Sequence, residues 1–238
     1  MYPYYYYYFN DPTFIFIIIG AVISLLASAR VRSTFNKYSR VSSYSGLTGA
    51  SAAEMILRNA GIRDVRVTHI HGNLNDHYDP RNKTLALSDS VYQSNSIAAI
   101  GVAAHECGHA IQHAHGYAPL AIRNVIVPVA NFGTRISWLL IIAGLFLNSS
   151  ASNTLILAGI IAFSTGVAFQ LLTLPVEFNA SSRAIQILRD SNMLRGDEVG
   201  QARKVLSAAA LTYVAGAIAS MLQLLRLLII FGGRRRDN

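Results

Sequence analysis

Apolar residues fall in long blocks along this chain, and each block predicts a helix. Residues 13–29 form an uncharged apolar run of about one bilayer span at ~1.5 Å per residue. A cleaved signal peptide is the competing reading, because Ala27, Ser28 and Ala29 offer a small-residue cleavage site. No Lys or Arg precedes the run, whereas Arg30, Arg32, Lys37 and Arg40 follow it. That bias favours a retained anchor with its N-terminus outside and the next segment in the cytoplasm. Residues 125–147 are predominantly apolar but include Pro128 and Arg135, so the clean core of the block is 136–147. Residues 148–153 read as a polar turn and 154–174 as a good span, together a helical hairpin that returns the chain to its original side. The last block, 205–233, contains Gln223 and Arg226. It is either a fourth span or a helix packed on the rest of the protein.

Between the first two blocks the pattern changes. Residues 51–61 read as an amphipathic helix closed by Gly61. Residues 65–70 alternate as a strand does, 73–82 are a loop rich in Asn, Asp and Pro, and 84–87 are a second short strand. Ser94 or Ser96 caps a helix running from Ile97 through His113. These pieces predict a mostly helical α+β unit joined to three or four transmembrane helices. The expected layout is a tyrosine-rich segment and anchor over 1–32, a cytoplasmic unit over 33–124 and the hairpin over 125–174. A further polar helix then covers 175–204, and an apolar helix with a basic tail covers 205–238. The tyrosines of residues 1–10 suit either a membrane interface or an irregular terminus.

Composition supports the membrane reading. Hydrophobic residues make up 52% of the 238 and charged residues only 13%, against roughly a quarter charged in soluble domains. The net charge of +8 invites a nucleic-acid reading, but the basic residues flank the apolar blocks. Arg234, Arg235 and Arg236 follow the last block as Arg30 to Arg40 follow the first. Such flanking charge fits contact with anionic headgroups, and no nucleic-acid partner is expected. A fourth span would place the three terminal arginines outside, against the positive-inside tendency. The single cysteine, Cys107, excludes an intrachain disulfide.

The chemistry resides in His105-Glu106-Cys107-Gly108-His109, an HExxH pattern. On a helix, residues i and i+4 share a face about 6 Å apart, so both imidazoles reach one zinc ion. Glu106, between them, is placed to act as general base on a water activated by that ion. The small residues Gly108 and Ala110 leave room beside a metal, and Cys107 points away from the ligand stripe. The plain alternative is a pair of exposed histidines on an ordinary helix.

A catalytic zinc needs a third protein ligand and an open position. His113 lies one further turn along the stripe, but three histidines on a straight helix do not converge tetrahedrally, so it is expected to be an outer partner of the site or a surface residue. A helix-breaking glycine between the second and third ligands is missing, because Gly116 comes after both His113 and His115. Glu177, opening the polar segment that follows Pro175, is the better candidate. Its alternative role is a solvated glutamate at a helix N-terminus.

Asp76-His77-Tyr78-Asp79-Pro80-Arg81, Ser96-Ile97-Ala98-Ala99, the run from His105 to His113, and Pro175-Val176-Glu177-Phe178-Asn179-Ala180-Ser181 together resemble the neutral, membrane-bound zinc metallopeptidases of the YugP-like family. The resemblance covers nearly the whole chain. It implies a bacterial integral membrane protein with one zinc per chain. The layout is also similar to the HtpX and CAAX-protease group of glutamate zincins, in which the Glu ligand is followed four residues on by Asp. Here that position is Ser181, which leaves Asn179 or Ser181 as substitutes.

Other polar residues carry two readings each. His69, His71 and His77, with Tyr78 and Asp79, either line the cleft or bind the oxyanion, and the other reading of His77-Tyr78-Asp79-Pro80 is a structural turn. Residues 84–87 are a possible edge strand for an extended peptide. Arg183 and Tyr213 either stabilise the developing oxyanion or are a surface charge and a buried aromatic. The expected partners are a peptide or protein substrate and the bilayer. Neither the substrate's identity nor an oligomeric state is encoded in these motifs. A catalytically silent zinc-binding scaffold and an intramembrane-cleaving protease are the rival functions.

Overall fold

The computed structural model describes residues 11–147 and 151–232. The tyrosine-rich segment 1–10, residues 148–150 of the expected turn and Arg234 to Arg236 lie outside the described residues, while 151–153 of that expected turn are the first residues of a helix. The elements are α1 (Phe14–Tyr38), α2 (Gly49–Asn59), β1 (Arg66–Ile70), β2 (His77–Asp79), β3 (Thr84–Ser88), α3 (Ile97–Ala114), α4 (Ala118–Phe146), α5 (Ala151–Asp190) and α6 (Asp197–Gly232). They divide into two compact units, one of Ala27–Ile122 with Thr173–Thr212 and one of Met1–Leu26, Arg123–Leu172 and Tyr213–Asn238.

The first unit is the α+β part. Thr48 caps α2 by accepting from the Ser51 N–H, and Ser51 Oγ accepts in return from the Thr48 N–H, which satisfies two otherwise orphaned donors. Its apolar face, Ala52, Ala53, Ile56 and Leu57, is buried in a core shared with α3. Ser96 caps α3, its Oγ accepting from the Ala99 N–H at 3.2 Å. α3 is then buried along most of its length by Ala98, Ala99, Ile100, Ala103 and Ala104. Burial of an Ile or Leu side chain contributes about 1.5–3 kcal/mol, so tertiary packing fixes the helix that carries the motif.

Three strands complete this unit in the order β1-β3-β2. β1 runs parallel to β3, and β2 antiparallel, with Tyr78 opposite Leu85. Two sequence expectations change here. The stretch 73–82 is not all loop, because His77 to Asp79 form β2. β3 is not an edge: β1 and β2 flank it, and Leu85 to Ser88 are buried. A run of buried Leu-Ala-Leu-Ser is what a central strand requires, and the edges fall to the more exposed β1 and β2.

The second unit holds the apolar parts of α1, α4, α5 and α6, four helices long and apolar enough to cross a membrane. Leu25, Val125, Phe132, Leu139 and Phe146 are exposed, as lipid-facing side chains would be. Small residues permit close approach: a Cβ on Gly159 would lie 2.8 Å from the Ser137 carbonyl oxygen, and one on Gly20 would lie 3.2 Å from Ala219 Cβ. Arg226, the charge within the last apolar block, donates from Nη2 to Asp11 Oδ2 at 2.8 Å. Pairing lowers the cost of that charge in an apolar setting. The boundaries expected at 174/175 and 204/205 fall inside α5 and α6, which run unbroken through them. Pro175 is accommodated within α5, so Glu177 sits well inside a long helix and not at a helix N-terminus.

Candidate metal centre

α3 supplies His105 and His109 one turn apart, and α5 supplies Glu177. Glu177 Oε2 lies 3.3 Å from His105 Nε2 and 3.6 Å from His109 Nε2, with Glu177 only 2% exposed. The approach of the two helices depends on Gly108. A Cβ there would lie 2.7 Å from the Ala180 carbonyl oxygen and 3.1 Å from Ala180 Cα, both backbone atoms of α5. The room left by this small residue is thus filled by α5 itself, which carries the third donor.

The orientation of each imidazole is set by its other nitrogen. Gln112, fully buried, donates from Nε2 to the Val176 carbonyl and to Asn179 Oδ1, each at 2.9 Å. Both of those partners are acceptors, so the amide oxygen faces His109 Nδ1 at 3.0 Å. The His109 Nδ1–H donates to it, and Nε2 keeps its lone pair for a metal. His105 Nδ1 has the Ser181 hydroxyl at 3.1 Å. Asn179 Oδ1 also accepts from Arg183 Nε at 2.8 Å, and the Arg183 guanidinium lies 6.0 Å from the Tyr117 ring.

Burial opposes a charged His109, but the hydrogen bond to Glu177 and the nearby Glu106 carboxylate outweigh it and raise its pKa. The Cys107 thiol is pushed well up by burial and by Glu106, which makes it a packing residue. Glu106 is buried on α3 between the two histidines.

The donor set fits zinc. A tetrahedral site with bonds near 2.05 Å has donor–donor edges of about 3.3 Å, close to the two separations measured here. Two neutral imidazoles and one buried carboxylate leave a fourth position open.

Of the remaining residues singled out in the sequence, Asn179, Ser181 and Arg183 are gathered around the ligands. His113 is exposed and its Nδ1 lies 2.8 Å from the Tyr78 hydroxyl. That contact ties α3 to β2 and takes no part in the cluster. His77 is exposed, with Nδ1 2.9 Å from the Asn75 carbonyl. Tyr213 is on α6 in the apolar unit. Gln112 was not anticipated. Its signal is its position, three residues after His109 on the same helix, where a polar side chain in a buried stripe needs a partner. Replacing Gln112 by Leu should lower zinc affinity roughly 10- to 100-fold, the usual effect of removing an outer partner of a ligand. Competition against a zinc-binding dye measures it.

Four helices long and apolar enough to cross a membrane thus accompany a buried His-His-Glu cluster with the donors of a zinc site. The chain belongs to the family described as "Putative neutral zinc metallopeptidase", which matches residues 13–232. It is 49% identical over 226 residues to the "Putative membrane protease YugP" of Bacillus subtilis strain 168, covering 94% of this chain and 99% of that relative. No solved structure matches.

Proposed function

We propose that this protein is a zinc-dependent endopeptidase of the cell membrane whose active site faces the cytoplasm. The observation that carries the reading is the convergence of His105 Nε2, His109 Nε2 and Glu177 Oε2, with Glu106 beside them and outside the ligand set. His105, His109 and Glu177 would hold one zinc ion. When bound, zinc supplies Lewis acidity, which lowers the pKa of a water towards neutrality and polarises a carbonyl. Glu106 takes the proton of the attacking water and returns it to the leaving amine. Gln112 holds the His109 imidazole in the ligating tautomer, and the Ser181 hydroxyl is placed to accept from His105 Nδ1 and orient that ring. Asn179 keeps Gln112 and Arg183 in place. Arg183 is the nearby cation suited to a developing oxyanion.

The orientation rests on charge and parity. Arg30, Arg32, Lys37 and Arg40 follow the first apolar run, which favours a cytoplasmic next segment. With α4 and α5 as an antiparallel pair of spans, the chain after α5 returns to that same side. The substrates suited to such a site are peptide segments of proteins at the inner membrane face.

The test is hydrolysis of an unfolded protein such as casein by untagged, detergent-purified protein. Activity should be lost on chelation and return with zinc but not with magnesium, which does not favour imidazole ligands. Chelator-resistant cleavage, or none after zinc restoration, would refute the reading.

A further inference from the structure

Imidazoles and a carboxylate also gather away from the cluster just described. His69 lies on β1 and His71 just beyond it. Residues two apart on an extended chain project from the same face. The parallel register pairs Ile70 with Ser88, so Asp89, the next residue after β3, comes alongside His71. Gly72, at φ +115°, turns the chain there. Its N–H donates to Asp89 Oδ2 at 2.8 Å, and its carbonyl accepts from the Asp89 N–H at 3.1 Å. The neighbouring loop is pinned independently, since Asp76 accepts from the Ser88 N–H at 2.7 Å and from its hydroxyl at 3.0 Å.

With Oδ2 held by backbone, Asp89 Oδ1 is left facing both rings. It is 2.6 Å from His69 Nε2 and 3.7 Å from His71 Nδ1. The rings meet edge-on with centroids 5.3 Å apart, and Tyr92 stands against His69 at 5.3 Å. The three ligand atoms lie within 4.8 Å of one another. The Gly72 N–H, then His69, hold the Asp89 carboxyl below its ordinary range, so it is charged at neutral pH.

We propose that His69, His71 and Asp89 form a second zinc site, separate from the one on α3 and α5. A simple ion pair uses one imidazole, and His69 already provides it. A second imidazole with a nitrogen towards the same oxygen, although its side chain is 95% exposed, is what a shared cation accounts for. Two imidazoles and a carboxylate are the donors a borderline-soft divalent ion prefers, and zinc would enter by replacing the 2.6 Å hydrogen bond between His69 and Asp89, which is shorter than the ~3.3 Å edge of a tetrahedral site. Exposure makes the site weaker than the buried one and readily exchanging, with water completing the coordination. A bound ion joins the exits of β1 and β3, and so responds to free zinc without entering the catalytic chemistry.

This site does not depend on the peptidase reading, and one titration separates them. Untagged full-length protein in detergent is stripped with chelator and titrated with zinc alone by calorimetry. Wild type should show two binding events. His71→Ala should leave the tight event intact and weaken the second by more than the roughly tenfold cost of losing an outer-shell partner. Glu177→Ala should do the reverse. Because His71 is exposed, its replacement does not disturb the core, and His69→Ala provides a second probe. A single event in wild type, or a second event unchanged in both histidine variants, overturns the proposal.

Discussion

Glu106→Gln should retain its zinc and lose its hydrolysis. The substitution keeps the size of a side chain buried on α3. The three donor atoms that converge belong to other residues, His105, His109 and Glu177. An amide cannot accept the proton of an attacking water, and general-base catalysis is worth about 10²–10⁴-fold, so casein cleavage should fall by that range. Equal cleavage by variant and wild type would sink the endopeptidase reading. Retained zinc in a wild-type protein with no cleavage at all would favour a zinc-binding scaffold, which has no need of a glutamate at this position.

Local chemistry written in short stretches of sequence was legible; close approach between distant segments was not. Ser96 before an Ala-rich run marks the start of α3, and the HExxH spacing places two imidazoles on one face. The charge-free run before Arg30 marks α1. β2 is not legible in the sequence because His77-Tyr78-Asp79 is too short and too polar to show an alternation, and it exists only by pairing with β3. The rank of β3 as central strand follows from a parallel crossover with β1, which no local pattern encodes. α5 reads as two pieces because Pro175 usually ends a helix, yet packing of Val176, Ala180 and Ala184 carries it through. Gln112 is the clearest case. Its partners, Val176 and Asn179, lie more than sixty residues away in sequence, and only the contact made possible at Gly108 brings them to it.

Glu177→Ala should abolish tight zinc binding, with an effect larger than that expected for Gln112→Leu. Gln112 orients a ligand; Glu177 offers the oxygen itself, 3.3 Å and 3.6 Å from the two imidazole nitrogens. Without it the site falls to two imidazoles one turn apart on one helix, below the three protein ligands of a catalytic zinc. Affinity should therefore drop by more than about 100-fold, the upper end of the outer-shell effect. The measurement is zinc content after gel filtration in metal-free buffer, a step that empties exposed, weakly held positions and leaves the buried one. Wild type should carry about one zinc per chain through that step and the variant next to none. Helical content by circular dichroism should be unchanged, because Val176, Ala180 and Ala184 still anchor this stretch of α5 in the core. Undiminished zinc would mean that the third ligand is another residue. His69 and His71 would be poor replacements, since their nitrogens are already turned towards Asp89. The stretch from His105 to His109 would then bind metal in a geometry different from the one drawn by α5.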